Sequence, residues 1–342
     1  MYTISTLRIP SSRCIKLFRF ASTKRITNQH YCRELVKKAD YFNYLCCLPL
    51  PQPQQRFAFA LRAFNVEISL IRDRAPTPQT ANLRFQYWED SIRSLFNADN
   101  NNSPSEIVHR SPIESELSWS VNKFTDCISR HWLLRILKAR RERVGDVAFQ
   151  SCEELEEYAD STNAPIHYAL AEALGHKSLA VDHALSHLAK AQGIITHLRS
   201  VVPIAAQYQT VILPTDLLVK HDLPTEIALR LCRNSKELDS KSSDPSSVER
   251  LRDVSQALAT RARYHTAKAL SSLPTKSKKT SSSPLSLLLL PSIPVCRLLK
   301  IFADPCNFDP RHPKWLQPQL EKGLMPLRIA WYSTRNTTPK PP

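Results

Sequence analysis

Glycine is nearly absent: only Gly145, Gly175, Gly193 and Gly323 occur in 342 residues. Neither GxGxxG nor GxxxxGK[ST] can be written with them, so a glycine-rich cradle for a nucleotide phosphate is excluded. Long apolar runs are missing as well. The leucine-rich stretch at 285–290 is bounded by Pro284 and Pro291, far short of the roughly 20 residues that cross a bilayer as a helix. No Cys-x-x-Cys occurs among the nine cysteines, whose spacing is irregular, and Cys46-Cys47 are adjacent. That pattern points to reduced, buried thiols in a reducing compartment rather than a disulfide frame or a structural zinc. No GxSxG or cysteine-histidine nucleophile pattern is present.

Acid is missing from the first 33 residues, where Glu34 comes first. Residues 1–29 carry six basic side chains and eight Ser or Thr, with Ile15, Leu17, Phe18 and Phe20 among the charges. A positively charged amphipathic segment of this composition predicts a mitochondrial transit peptide, and so the mitochondrial matrix as destination. The whole chain has a net charge of +16. Such a surface suits an anionic membrane or a nucleic acid. No zinc-finger or RNA-recognition signature supports the second, so nucleic acid is not an expected partner.

What is abundant is Leu, Ala, Arg, Lys and Glu, which favours helix, with 25 prolines largely clustered between apolar-periodic stretches. The expected fold class is all-α. One domain is expected over 30–335, with a low-complexity insert at about 274–284 and a disordered tail at 336–342. The organising stretch is 181–214: Val181, Ala184, Leu185, Leu188, Ala191, Ile195 and Leu198 recur at helical spacing. Ala184, Ala189, Ala191 and Gly193 keep one side thin enough for a close helix neighbour, and His183, His187, Lys190 and His197 form a nitrogen-rich edge. Other helices are expected over 31–45, 55–73, 83–96, 122–143 and 248–270. Ser151 with Glu154 reads as a capping box, and Ala164 to Leu174 as a helix closed by Gly175. A helical pair broken at Pro224 is expected over 215–232. The segment 285–302 carries Leu287 to Leu290, Ile293, Leu298, Leu299 and Phe302 with Arg297 and Lys300. It is expected either to lie on a bilayer surface or to pack against the bundle.

Several short stretches, in order, then point one way. Asp40-Tyr41-Phe42, Leu48-Pro49, Arg56, ALRAFNVEISLIRD at 60–73 and Arg84 with Tyr87-Trp88 come first. Tyr168 through Leu174-Gly175, Ala191-Gln192 through Leu198-Arg199, and Val211-Ile212-Leu213-Pro214 follow. Over roughly residues 31–270 the chain resembles the squalene/phytoene synthase family. FNVE at 64–67, DHALSH at 182–187 and KAQGIITHLRS at 190–200 resemble, within it, a mitochondrial branch that assists assembly of respiratory complex I. The resemblance implies an isoprenoid-synthase-like bundle around a central cavity. As partners it implies complex I assembly intermediates and other assembly factors, with peripheral attachment to the inner-membrane surface. The step implied is early membrane-arm biogenesis, around NADH dehydrogenase subunit 1.

The family's enzymes hold magnesium and a diphosphate between two acidic clusters on facing helices, because Mg²⁺ takes hard oxygen ligands. By that resemblance the first cluster falls on Ser69 to Asp73 and retains one acid. The second falls on Ser200 to Ile204 and retains none. A pseudoenzyme with no metal, no cofactor and no catalytic residue is therefore expected. The alternative is a surviving enzyme or carrier acting on a prenyl or other lipid in the same cavity. Arg62, Glu67, Tyr168, His183, His187, Gln192 and Arg199 are the expected cavity-lining residues. Glu67 is expected to pair with Arg62 or Arg72, and His183 with His187 to form a polar stripe rather than a metal edge.

Overall fold

The computed structural model describes residues 27–96, 111–125, 128–145, 148–233, 244–272 and 285–340. Residues 1–26 of the expected transit peptide, all of the 274–284 insert and the last two residues of the tail lie outside them. The described residues form α-helices and one 3₁₀ turn (Leu285–Leu287), with no strand among them. In order they are α1 (Asn28–Ala39), α2 (Tyr41–Cys47), α3 (Gln54–Ser69), α4 (Ile71–Arg74), α5 (Pro78–Phe96), α6 (Pro112–Lys123), α7 (Arg130–Arg141) and α8 (Cys152–Ala173). Then come α9 (Leu179–Tyr208), α10 (Thr215–Lys220), α11 (Thr225–Arg233), α12 (Pro245–Ser271), α13 (Ser292–Ala303), α14 (Pro313–Leu316) and α15 (Gln319–Arg335).

The thirty-residue α9 is the axis. Ser178 caps it by accepting from the Val181 amide, and Gln209 ends it in the left-handed region. Its first half, Val181 to Leu188, is buried in one apolar core with α1–α3, α5–α7 and the end of α8. Its second half, Ala191 to Ala205, is buried in another with α10–α14 and the start of α8. Helix α8 runs antiparallel beside it. At the contact, a Cβ on Gly193 would sit 2.2 Å from Ala159 Cβ and 2.9 Å from Ala159 Cα. Glycine is required there because the two backbones are too close for any side chain.

Several boundaries differ from the sequence expectation, each for a physical reason. The helix expected over 31–45 is two, because Asp40 (φ −137°, ψ 64°) leaves helical geometry between them. Ser151 and Gly175 bound one continuous helix, α8, with Pro165 inside it. The stretch 122–143 is not one helix: α6 ends at Lys123 and α7 begins at Arg130. Helix α6 was not expected at all; its buried face mixes Ile113, Leu117 and Val121 with Glu114, Glu116 and Ser120. Glu114 accepts from Tyr87 at 2.6 Å and Ser91 at 2.8 Å, and Glu116 takes Arg56 in a two-pronged pair at 2.7 and 2.9 Å. A capping box at Ser111 and Glu114 starts it. The bilayer expectation for 285–302 is corrected outright. Leu287 to Leu290 and Ile293 are buried in the first core, and Leu298, Leu299 and Phe302 in the second, the last stacked on Trp315 at 4.1 Å. That apolar surface is spent inside the bundle.

Candidate functional site

The centre of the bundle is polar. Arg62 on α3 is only 5% exposed and lies 4.0 Å from Asp40 Oδ2, at the α1–α2 break. Asn43 donates to both Asp40 oxygens at 2.8 and 3.1 Å, and Gln192 on α9 donates to Asn43 Oδ1 at 3.2 Å. His167 on α8 completes the chain, its Nε2 donating to Gln192 Oε1 at 2.6 Å. Burial and the Arg62 charge depress the His167 pKa to about 3, so the imidazole is neutral and serves as a hydrogen-bond donor. Arg199, one α9 turn pair beyond Gln192, lies beside Phe42 at 5.9 Å, and its buried Nε has no hydrogen-bond partner in the protein. Burial lowers the Arg199 pKa while Asp40 opposes the shift. Asp40, itself part-exposed, thus pairs with Arg62 and opposes the effect of burial on Arg199.

The two stretches that resemble metal-binding clusters are occupied otherwise. Ser69 donates its hydroxyl to the Val66 carbonyl at 2.7 Å, and Ser200 donates to the Thr196 carbonyl at 2.8 Å. Ile204 packs against the second core. Asp73 accepts from Tyr208 at 2.7 Å and lies 3.5 Å from Arg72 Nε, whose guanidinium covers the Tyr208 ring at 4.4 Å. Burial and the neighbouring carboxylate push the Tyr208 hydroxyl up to about 12. Asp73 therefore ties α4 to the end of α9. At these two stretches the residues present do not fit a magnesium–diphosphate site: one engaged carboxylate cannot replace the multiple oxygen ligands such a site needs. Among the described residues no group of three or more acids, histidines or cysteines is placed to hold a metal ion.

Of the expected cavity residues, Arg62, Gln192 and Arg199 come together; the others scatter. Glu67 faces Arg74, at 2.9 Å, rather than Arg62 or Arg72. Tyr168 packs on Trp132 of α7 at 5.1 Å. His183 is exposed. His187 reaches α12 instead, its Nδ1 sharing a hydrogen bond with His265 Nδ1 at 2.8 Å. His265 continues to Glu156 at 3.2 Å, and Arg261 holds Glu156 at 2.5 Å and Glu153 at 2.7 Å. Those contacts pull the Glu156 pKa down to about 2 against its burial. Sequence reasoning missed Asp40, Asn43 and His167 as site members. A histidine within the apolar run APIHYALAEAL was the available signal for one of them. A separate cleft of about 540 Å³ opens between α5, α7 and α8, lined by Phe85, His131, Arg135 and Lys138, and includes none of the expected residues.

Residues 36–314 match the squalene/phytoene synthase family. The chain belongs to that family. The fold agrees: a crystal structure of a dehydrosqualene synthase in complex with ligand superposes with a TM-score of 0.69, covering 90% of this chain and 97% of that one. At 15% identity the superposition speaks for the fold alone. In sequence, the chain is 38% identical over 211 residues to a mouse protein named NADH dehydrogenase (ubiquinone) complex I, assembly factor 6. The human protein of that name is 33% identical over 308 residues, which cover 90% of this chain and 82% of the human one. The match spans only 60% of the mouse protein, less than two thirds of its length. No described helix of this squalene/phytoene synthase relative is long and apolar enough to cross a membrane.

Proposed function

We propose that the protein is an assembly factor for respiratory complex I that performs no prenyl transfer. It acts in the mitochondrial matrix, held peripherally at the inner membrane, on early membrane-arm intermediates containing NADH dehydrogenase subunit 1. The observation that carries this reading is the pairing of two facts. The relatives bear the assembly-factor name, and of the two stretches that resemble metal-binding clusters only the first keeps an acid, Asp73, which Tyr208 and Arg72 engage. A magnesium–diphosphate site needs several hard oxygen ligands. An acid-free, Arg/Ser/Thr-rich 1–29 segment supports the mitochondrial address.

A second reading, a carrier for an anionic lipid, draws on the unpaired Arg199 Nε in that interior. It predicts a lipid co-purifying with the native protein, read by mass spectrometry. The primary reading is tested by removing the protein from cells. Assembled complex I should fall on native gels while the other respiratory complexes stay near normal, and normal complex I in the null cells would reject it.

A further inference from the structure

The last helix, α15, is amphipathic with its apolar surplus on the outside. Met325 and Ile329 are buried and fasten it to the first core, alongside α2 and α13. On the opposite side Leu327 is 69% exposed and Trp331, one turn on, is 53% exposed. Gly323, Ala330 and Thr334 surround them on the same face, so the two large side chains project as a ridge. The flanking charges are of one sign. Arg335 is exposed on this face, and its guanidinium covers the Trp331 ring at 3.5 Å; Lys322, on the helical stripe of Met325 and Ile329, is exposed at the start of the helix. The helix has one acid, Glu321, and it is turned inward, held by Arg297 at 2.6 Å and Arg328 at 3.5 Å.

We infer that the outer face of α15 is the protein's contact with an anionic bilayer surface. The inference rests on the peripheral membrane association proposed above and names the element responsible. An interfacial helix needs apolar side chains that reach the acyl boundary and cations at the phosphate level, with no carboxylate beside them. Trp331 suits that depth, since an indole is apolar in body and donates a hydrogen bond at its edge. A protruding ridge enters lipid without needing a shaped receptor. Its contribution is modest, as expected for two anchoring side chains, so attachment is reversible.

The test uses the full-length protein in flotation with vesicles of phosphatidylcholine containing phosphatidylglycerol. Because residues 1–29 carry six basic side chains of their own, charge alone gives some binding, and insertion is read separately. Quenching of tryptophan fluorescence by brominated phosphatidylcholine in the same vesicles reports depth. Wild type should float and be quenched. Leu327→Ser with Trp331→Ser should lower vesicle affinity about tenfold, and Trp331→Phe alone should remove the quenching. Arg335→Glu should weaken flotation without touching the core, and circular dichroism should report all variants folded. Equal flotation of wild type and the Leu327/Trp331 variant, or quenching that survives Trp331→Phe, overturns the role of α15 and leaves peripheral association standing. Failure of wild type to float overturns both. Loss of complex I rescue in the Leu327/Trp331 variant with flotation intact would assign the ridge to a protein partner and reject the lipid surface.

Discussion

Asp73 illustrates how little a retained acidic side chain implies by itself. Its carboxylate is bound by the Tyr208 hydroxyl and the Arg72 guanidinium at the rim of the bundle. It thus has a structural duty that an amide can largely fulfil, because an asparagine carbonyl still accepts from Tyr208. Asp73→Asn should stay within about 1 kcal/mol of wild type, as is usual for part-exposed ion pairs, and should restore complex I in null cells. Failure of a stably expressed Asp73→Asn would favour metal chemistry at this position. The buried histidines have a sharper signature. His167 titrates near 3 and His197, which donates to the Ile212 carbonyl at 2.6 Å, near 4, both depressed by burial. Unfolded, each would titrate at about 6.5. Between those values the unfolded chain binds the extra protons, so stability falls as pH drops below about 6.5, by up to about 1.4 kcal/mol per pH unit for each histidine. Glu156, pulled down to about 2, adds to the loss only below its unfolded value of 4.5. Urea unfolding from pH 7.5 to 4.5 should show this steepening, and a flat profile would mean that these imidazoles are solvated. At this scale the sequence disclosed the candidates only in part. Arg62 and Gln192 join the Asp40–Asn43 network, whereas Glu67 and His187 turn to α4 and α12, because the tertiary partner decides which way a polar side chain turns.

At the scale of elements, the pattern of α9 was legible because its small residues mark the contact itself. Gly193 lies against Ala159, and the distance of 2.2 Å from a would-be Cβ leaves no room for relaxation between two backbones. Gly193→Leu should therefore push α8 and α9 apart. Overpacking of this kind costs about 1–3 kcal/mol or more, and the loss should appear as a lower denaturant midpoint and reduced complex I in rescued cells. Retention of wild-type stability would mean that the helices tolerate separation. Elements whose core faces mix acids with apolar residues were less legible. Helix α6 buries Glu114, Glu116 and Ser120 among Ile113, Leu117 and Val121, and its paired acids make sense only once Tyr87, Ser91 and Arg56 are in place. The leucines at 287–290 were ambiguous for the reverse reason. A short run that is apolar on every side buries equally well in lipid or protein, and only the tertiary fold shows that the first core takes it.

For the molecule as a whole, the arrangement of the two apolar cores decides how it should unfold. They are not separate bodies, because α8, α9 and α13 each contribute to both. Helix α8 gives Cys152 and Leu155 to the second core and Ile166 to Leu174 to the first; α13 gives Ile293 to the first and Leu298 to Phe302 to the second. A helix half unfolded at the junction would leave backbone groups without partners in a dry interior, a penalty that couples the two halves. The expected behaviour is one cooperative transition rather than two. Phe57 in the first core is fully buried and stacked on Phe124 at 4.7 Å; Trp315 in the second is fully buried and stacked on Phe302. Truncating either to alanine should cost about 3–5 kcal/mol and lower the same calorimetric midpoint, by roughly 5–15 °C. Two resolved transitions, with Phe57→Ala moving one and Trp315→Ala the other, would instead make the halves independent and α9 a linker. The continuous burial of α9 from Val181 to Ala205 argues against that outcome.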